Sequence, residues 1–318
     1  MRIPLDSELR AFLDTVNARP QLVDPSVQER RDAAARTSAE FRGEVVPPSI
    51  NVDIRDRVVE GRQGAIPLRV YEPGRASARE RPVVAYIHGG GWVVGTLDSY
   101  DIDCERLASR LDATIVSIGY RLAPEHPYPA AFEDSADAVR ILRAEERGVF
   151  GIAGDSAGAN LTLAVTLALR EERPADAQLL MYPAIDPYAM GNESYRENES
   201  GYLLSSADMD FYYRSYLGDS LRDIDEYAAP SQAASFLGLP PTVLVSAGYD
   251  PLRDESRALA NHLVAADVET VYQANPSLTH GFQQLVPRVQ TAEWALDRAY
   301  ESFRLLLDRS VDNGATRS

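Results

Sequence analysis

From residue 82 onward, short apolar runs alternate with longer segments in which apolar positions recur at helical spacing. The apolar runs are PVVAYIH, ATIVSIGY, VFGIAG, AQLLMYPAI, PTVLVSAGY and VETVYQ. Continuous apolar runs of this length are typical of strands that are buried on both faces. Strands that are separated by helices favour an α/β fold, with a mostly parallel central sheet flanked by helices.

Two helices and a hairpin are predicted ahead of this region. Apolar residues at helical spacing predict a first helix over residues 8–16, and a second helix is predicted from Asp24–Pro25 to Arg42. Residues 52–60 and 66–73 alternate between apolar and polar positions on either side of GRQG, which predicts a β-hairpin.

Residues 187–228 interrupt the alternation between two strands. They hold seven of the sixteen tyrosines and no long apolar run. Long irregular segments of this kind are usually lids or binding loops, and the aromatic content argues against a disordered insert. We predict that they form, with residues 1–48, a helical cap over the carboxyl edge of the sheet, and that some of the tyrosines wall a pocket. The core would then comprise residues 49–186 and 229–318.

Composition excludes several classes of function. The net charge is −16, which argues against binding to nucleic acid or to anionic membranes. All 32 basic residues are arginine, so Schiff-base lysines, Ser-Lys dyads and P-loop lysines are excluded. Cys104 is the only cysteine, which excludes an internal disulfide and a multi-cysteine zinc site. The start has no signal-peptide pattern and the longest apolar run, residues 161–169, is too short to span a membrane, so we expect a soluble, cytoplasmic protein.

The stretch GDSAG, residues 154–158, places a serine between two glycines where a strand should become a helix. Glycine tolerates close approaches and backbone angles that a side chain forbids. A Gly-x-Ser-x-Gly turn of this kind exposes its serine above the sheet as a nucleophile. Ser156 is therefore the candidate nucleophile, and it needs a base to accept its proton.

Of the four histidines, His280 is the best candidate for that base. It follows the last predicted strand in SLTHGF, and in this arrangement the nucleophile precedes the acid and the acid precedes the histidine. His88 and His126 precede the serine, and His262 lies within a predicted helix, where we expect a surface position.

Two aspartates could orient the base, because each follows a strand between the serine and the histidine. Asp250 follows LVSAGY and stands at a turn made by Pro251, so it is preferred to Asp186, which follows LLMYPAI. Asp254 and Glu255 are expected to begin the next helix, where negative charge is favourable without any catalytic role.

The segment HGGGW, residues 88–92, follows the first of the apolar strands. Consecutive glycines allow backbone N–H groups to point into a shared concavity, and such a segment is the usual partner of the serine turn. We predict that the N–H groups of Gly89, Gly90 and Ala157 stabilise the oxyanion of a tetrahedral intermediate. His88 is expected to support this loop. A phosphate-binding loop is the competing interpretation, which the absence of lysine disfavours.

Five motifs occur in one order over residues 80–285: HGGGW, YRLAPEHPYPAA, GDSAG, DPLRDE and HGF. Together they resemble the bacterial hormone-sensitive-lipase-like carboxylesterases, in the branch with aspartate before the serine. The resemblance implies an α/β-hydrolase core with a helical cap, no cofactor or metal, and hydrolysis of small esters with short acyl chains. It implies a triad of Ser156, Asp250 and His280.

The same resemblance implies secondary roles and rival functions. Arg121, Glu125 and His126 would brace the site loops, and a homodimer would pair through the last strand and helix. The chain departs from the family pattern at Ala159 and Ser256, which would alter only packing. An amidase or deacetylase with the same triad and a non-catalytic receptor for a small ligand are the alternatives; a lipase is disfavoured because no broad apolar segment could dock on lipid.

Overall fold

A computed structural model describes residues 2–19, 25–42, 51–74, 81–187, 189–218 and 224–315. The strands are β1 Val52–Gly61, β2 Gly64–Pro73, β3 Val83–Ile87, β4 Thr114–Ile118, β5 Phe150–Asp155, β6 Ala177–Met181, β7 Thr242–Tyr249 and β8 Thr270–Thr279. The α-helices are α1 Ser7–Asn17, α2 Val27–Arg42, α3 Asp101–Leu111, α4 Ala130–Glu145, α5 Ala157–Ala168, α6 Glu193–Glu197, α7 Ser206–Leu217, α8 Arg253–Ala265 and α9 Gln290–Ala315.

These strands form one sheet in the order β1-β2-β4-β3-β5-β6-β7-β8. Strands β3 to β8 are parallel, whereas β1 and β2 are an antiparallel hairpin that pairs with β4. The strand order changes direction at β3, which has β4 on one side and β5 on the other. Crevices form at the carboxyl ends of strands at such a point, and HGGGW and GDSAG both lie there.

Helices cover both faces of this sheet. On one face, Val84 and Tyr86 of β3 pack in a core with residues of α3 and α9. On the other face, Ala85 and Ile87 pack with residues of α4, α5 and α7. Because neighbouring positions of β3 are buried on opposite faces, the strand reads as a continuous apolar run. The predicted α/β fold with a mostly parallel sheet is confirmed.

Residues 187–228 contain α6 and α7 rather than irregular chain alone. Helix α2 packs beside α7 in a small apolar cluster that includes Val93 and Val94, the residues after HGGGW. The division into cap and core stays a prediction, and parts of residues 1–48 lie outside the described residues. None of the helices in the described ranges is both long enough and apolar enough to cross a bilayer.

Candidate active site

Ser156 occupies the turn between β5 and α5, with backbone angles φ of 55° and ψ of −120°. The two flanking glycines are required by packing. A Cβ at Gly154 would lie 2.5 Å from the carbonyl oxygen of Gly158, and a Cβ at Gly158 would lie 2.0 Å from that of Ile87. The strand, the turn and the helix can approach this closely only without side chains at these positions.

The structure brings Ser156, His280 and Asp250 into one hydrogen-bonded row. His280 Nε2 lies 2.9 Å from Ser156 Oγ, and His280 Nδ1 lies 2.8 Å from Asp250 Oδ2. Asp250 is completely buried, and its Oδ1 accepts the N–H of Leu252 at 2.8 Å. The runner-up, Asp186, lies instead at the loop after β6, where its N–H donates to Glu255.

Helix α6 holds the turn that carries Asp250. The Ser194 hydroxyl donates to the carbonyl oxygen of Pro251 at 2.6 Å, and the Asn198 amide donates to the carbonyl oxygen of Asp250 at 3.0 Å. Both donors are fully buried. Asp250 is therefore placed partly by residues 187–228, whose sequence contains no local signal for this role.

Tyr182 packs against the His280 imidazole, with ring centroids 4.6 Å apart. It directly follows β6, has a φ of 38° and is fully buried. Sequence analysis missed this residue, although its position immediately after a buried strand was a usable signal.

In the glycine loop, residues 88–92, one of the predicted oxyanion donors, Gly89, is wrong. The N–H of Gly89 donates to Asp155 Oδ1 at 2.9 Å, so it points at the strand end and not toward the serine. Gly90 and Gly91 have φ of 112° and 58°, and within the described part of the chain the N–H groups of Gly90, Gly91 and Ala157 have no acceptor. The predicted donors Gly90 and Ala157 therefore remain available, and Gly91 joins them in place of Gly89.

Asp155, the residue before the serine, identified the branch of the family in the sequence, but its structural role was not predicted. Its buried carboxylate also accepts the hydroxyls of Tyr86 at 2.8 Å and Tyr100 at 3.1 Å. Burial raises the pKa of Asp155 to about 6, and the donors offset part of that rise. Asp155 thus links the end of β5 to the glycine loop.

His88 is a support of the same loop. It is buried and stacks on Tyr120 with ring centroids 4.4 Å apart, and its Nδ1 lies 2.8 Å from the carbonyl oxygen of Gly89. Burial lowers the pKa of His88 to about 4, so the ring is neutral at physiological pH. These contacts are those of a packing residue.

Glu255 lies in the first turn of α8, as expected, and is also buried, with only 3% of the residue exposed. It accepts the N–H groups of Ile185 and Asp186, both at 2.9 Å, and the hydroxyl of Tyr195 at 2.9 Å. Burial raises the pKa of Glu255 to about 8. Glu255 therefore joins α8, the loop after β6 and helix α6.

The remaining residues that the sequence analysis named lie in ion pairs, in the core or at the surface. Arg121 makes a two-point contact with Asp134, and Glu125 pairs with Arg31 of α2. His126 is exposed, as is His262, which stacks on Phe236; Cys104 is buried in α3. The described ranges contain no group of three or more potential ligands arranged to hold a metal ion.

Comparison with known proteins places the chain among ester hydrolases. A family model described as α/β hydrolase fold matches residues 84–284. The chain is similar to the carboxylic ester hydrolase LipN of Mycobacterium tuberculosis, with 36% identity over 88% of this chain and 77% of the relative. It is 42% identical to arylacetamide deacetylase of Oryctolagus cuniculus, but over only 52% of this chain and 44% of that protein.

Among solved structures, the chain is similar to the ester-hydrolase EH1AB1 from the metagenome of Lake Arreo. The TM-score is 0.86 and the identity is 33%, over 95% of this chain and 98% of that one. That enzyme was solved in complex with a derivative of bipyridine phosphonate.

Proposed function

Because the chain belongs to the hormone-sensitive-lipase-like carboxylesterases of the α/β hydrolase fold, we propose that Ser156, His280 and Asp250 are its catalytic triad. Ester hydrolysis itself follows from the relatives. The observation that carries the triad is the pair of contacts on His280, 2.9 Å to the serine hydroxyl and 2.8 Å to the buried aspartate.

The geometry supports an acyl-enzyme mechanism. His280 Nε2 takes the proton as Ser156 Oγ attacks the acyl carbonyl carbon, and Asp250 fixes the imidazole tautomer and stabilises its positive charge. The tetrahedral intermediate collapses when the imidazolium protonates the leaving alcohol. Water then attacks the acyl-serine, with His280 as base, and releases the acid and the free serine.

The oxyanion of both intermediates would be held by the N–H groups of Gly90, Gly91 and Ala157. The N–H of Ala157 is available because it opens α5, where the first N–H groups of a helix have no intrahelical acceptor. Loss of one such donor costs about 10² to 10³ in kcat. Gly89 contributes indirectly, since its bond to Asp155 fixes where the next two amides point.

We propose small esters with short acyl chains as substrates. Ser156 is only 9% exposed, and α7 packs closely on the glycine loop beside it. Both features leave little room for a long acyl chain. A series of p-nitrophenyl esters of increasing acyl length tests this preference. Activity should peak at short chains, and a maximum on emulsified long-chain triglycerides would contradict it.

Ser156→Ala is the decisive variant for the triad. It should lose the burst of p-nitrophenol and all covalent labelling by an organophosphate, because the attacking oxygen is gone. Asp186→Asn is a matched control, because that carboxylate is the rejected candidate acid. The control should keep its labelling rate, whereas Asp250→Asn should lose most of it. Equal activity of Ser156→Ala and wild type would refute the triad.

Amide hydrolysis is the second candidate, favoured by the partial similarity to arylacetamide deacetylase. The same triad can expel an amine if His280 protonates the leaving nitrogen. Acetanilide and phenyl acetate, which share an acyl group, separate the two activities. A higher kcat/KM for the anilide would make the protein an amidase.

A homodimer and a cytoplasmic location stay predictions. Strand β8 lies at the edge of the sheet, and Tyr272 of β8 and Trp294 of α9 are exposed. A dimer would cover them. Sedimentation of wild type and of a Trp294→Asp variant, which places a charge on this surface, tests the pairing: the variant should be monomeric.

A further inference from the structure

Helix α7 is stacked on the glycine loop through Trp92. The indole of Trp92 and the ring of Tyr216 lie parallel, with centroids 4.4 Å apart and an interplanar angle of 3°. The ring of Tyr213 packs against the same indole, with centroids 5.3 Å apart. Trp92 and Tyr216 are both completely buried, so the contact is part of the core and not a surface association.

The backbone of the loop needs such a support. Gly90, Gly91 and Trp92 all have positive φ, and the φ of Trp92 is 61°. A bulky residue in the left-handed region is strained, and it keeps that conformation only if its surroundings hold it. The stack on Tyr216 fixes the indole, and the indole fixes the residue that follows the proposed oxyanion donors.

A second contact reaches the loop one residue earlier. A Cβ at Gly91 would lie 2.3 Å from a ring carbon of Tyr212, so the Tyr212 ring rests directly on the glycine backbone. The end of α7 is itself anchored, because the carbonyl oxygen of Tyr216 accepts the N–H of Tyr128 at 2.7 Å. Successive turns of α7 thus press on two successive residues of the loop.

We propose that Tyr212 and Tyr216 are positioning residues that hold the glycine loop in its donor conformation. This inference rests on the proposed function, since it assigns the loop to the oxyanion. Residues 187–228 would then do more than cover a pocket: α7 would set the direction of the N–H groups of Gly90 and Gly91. The aromatic ring carries the effect, because the Tyr216 hydroxyl has no hydrogen-bond partner among the described residues.

Tyr216→Leu tests the proposal, since it removes the flat ring and keeps most of the apolar volume. We expect kcat for a short p-nitrophenyl ester to fall about 10-fold, less than complete loss of a donor, with KM within about twofold. Tyr216→Phe keeps the stack and should retain wild-type kcat. Phe132→Leu is the control: it breaks another parallel stack between the insertion and the core, Phe132 on Tyr227, in which no residue of the glycine loop takes part.

A trifluoromethyl ketone, which forms a tetrahedral adduct with the serine, separates positioning from general loosening. Its affinity for Tyr216→Leu should fall by the same factor as kcat/KM, whereas its affinity for Phe132→Leu should stay close to that for wild type. If Tyr216→Leu does not fold, Tyr212→Leu takes its place, because Tyr212 is less buried.

Three outcomes overturn the inference: unchanged kcat in the leucine variants, a loss shared equally by Phe132→Leu, or a loss confined to KM. Each of them leaves the triad intact if organophosphate labelling of Ser156 persists. Failure of the organophosphate to label the wild-type protein would instead refute the proposed function.

Discussion

The buried carboxylate of Asp155 should make the stability of the protein depend on pH. Asp155→Asn, a neutral substitution of the same shape, should remove that dependence. The side chain introduced by Asp155→Asn can keep all three contacts. Its amide oxygen can accept from Gly89 and Tyr86, and its NH₂ group can donate to the Tyr100 hydroxyl, which also accepts. The variant therefore isolates the charge from the hydrogen bonds.

The sign and size follow from the raised pKa of Asp155, about 6 in the fold against 3.8 for the free group. The folded state binds the proton more tightly, so this group's contribution is greatest below about pH 4 and is lost as pH rises through 6. A shift of roughly two units corresponds to about 3 kcal/mol in total, of which about 1 kcal/mol falls between pH 5 and pH 7.5. The variant has no such dependence.

Urea unfolding followed by circular dichroism at about pH 5 and pH 7.5 measures the effect. The free energy of unfolding of Asp155→Asn minus that of wild type should be about 1 kcal/mol larger at pH 7.5 than at pH 5. Every other titrating group is common to both proteins, so the difference belongs to Asp155. A constant difference, or one of opposite sign, would show that the donors outweigh burial. Asp155→Ala should cost several kcal/mol at either pH, at about 1–3 kcal/mol for each buried donor left without an acceptor.

The remaining predictions concern packing, a second buried acid and the seat of α2. Gly158→Ala should abolish esterase activity because its Cβ would meet backbone 2.0 Å away, whereas Gly191→Ala, with open space around it, should be neutral in both activity and melting temperature. Glu255→Gln should gain about 3 kcal/mol of stability relative to wild type between pH 6 and pH 9. The pKa of Glu255, raised to about 8 in the fold, makes the wild type lose stability as that carboxyl ionises. Denaturation curves at both pH values measure this gain, and a flat difference would contradict the reasoning. Arg31→Gln should lower the melting temperature by several degrees, because Arg31 donates to two loop carbonyl oxygens and to a carboxylate. Arg36→Gln, which changes an exposed residue of the same helix, should leave the melting temperature unchanged. Equal shifts in the two variants would mean that the Arg31 contacts do not hold α2 in place.

The turn at Ser156 and the residues hydrogen-bonded in a row with it could be predicted from the sequence because each has a local signal. Glycines on either side of Ser156 mark a turn without room for side chains, and the predicted strands place Asp250 and His280 after strand ends. Strand order and the carboxyl edge of a parallel sheet then bring such residues together. The preference for Asp250 over Asp186 rested on its later strand and on the turn at Pro251, and Asp250 is the one of the two that contacts His280.

The sequence by itself determined the α/β architecture and the row of candidate residues, because apolar periodicity and turn chemistry act within a few residues of the chain. Only the tertiary structure decided that the Gly89 N–H is taken by Asp155, that Glu255 is buried, and that α7 stacks on Trp92. These facts depend on the direction of single groups that are 60 to 124 positions apart along the chain. Hydrogen bonds and ring stacking vary steeply with direction and distance, and no local pattern encodes the packing that sets them.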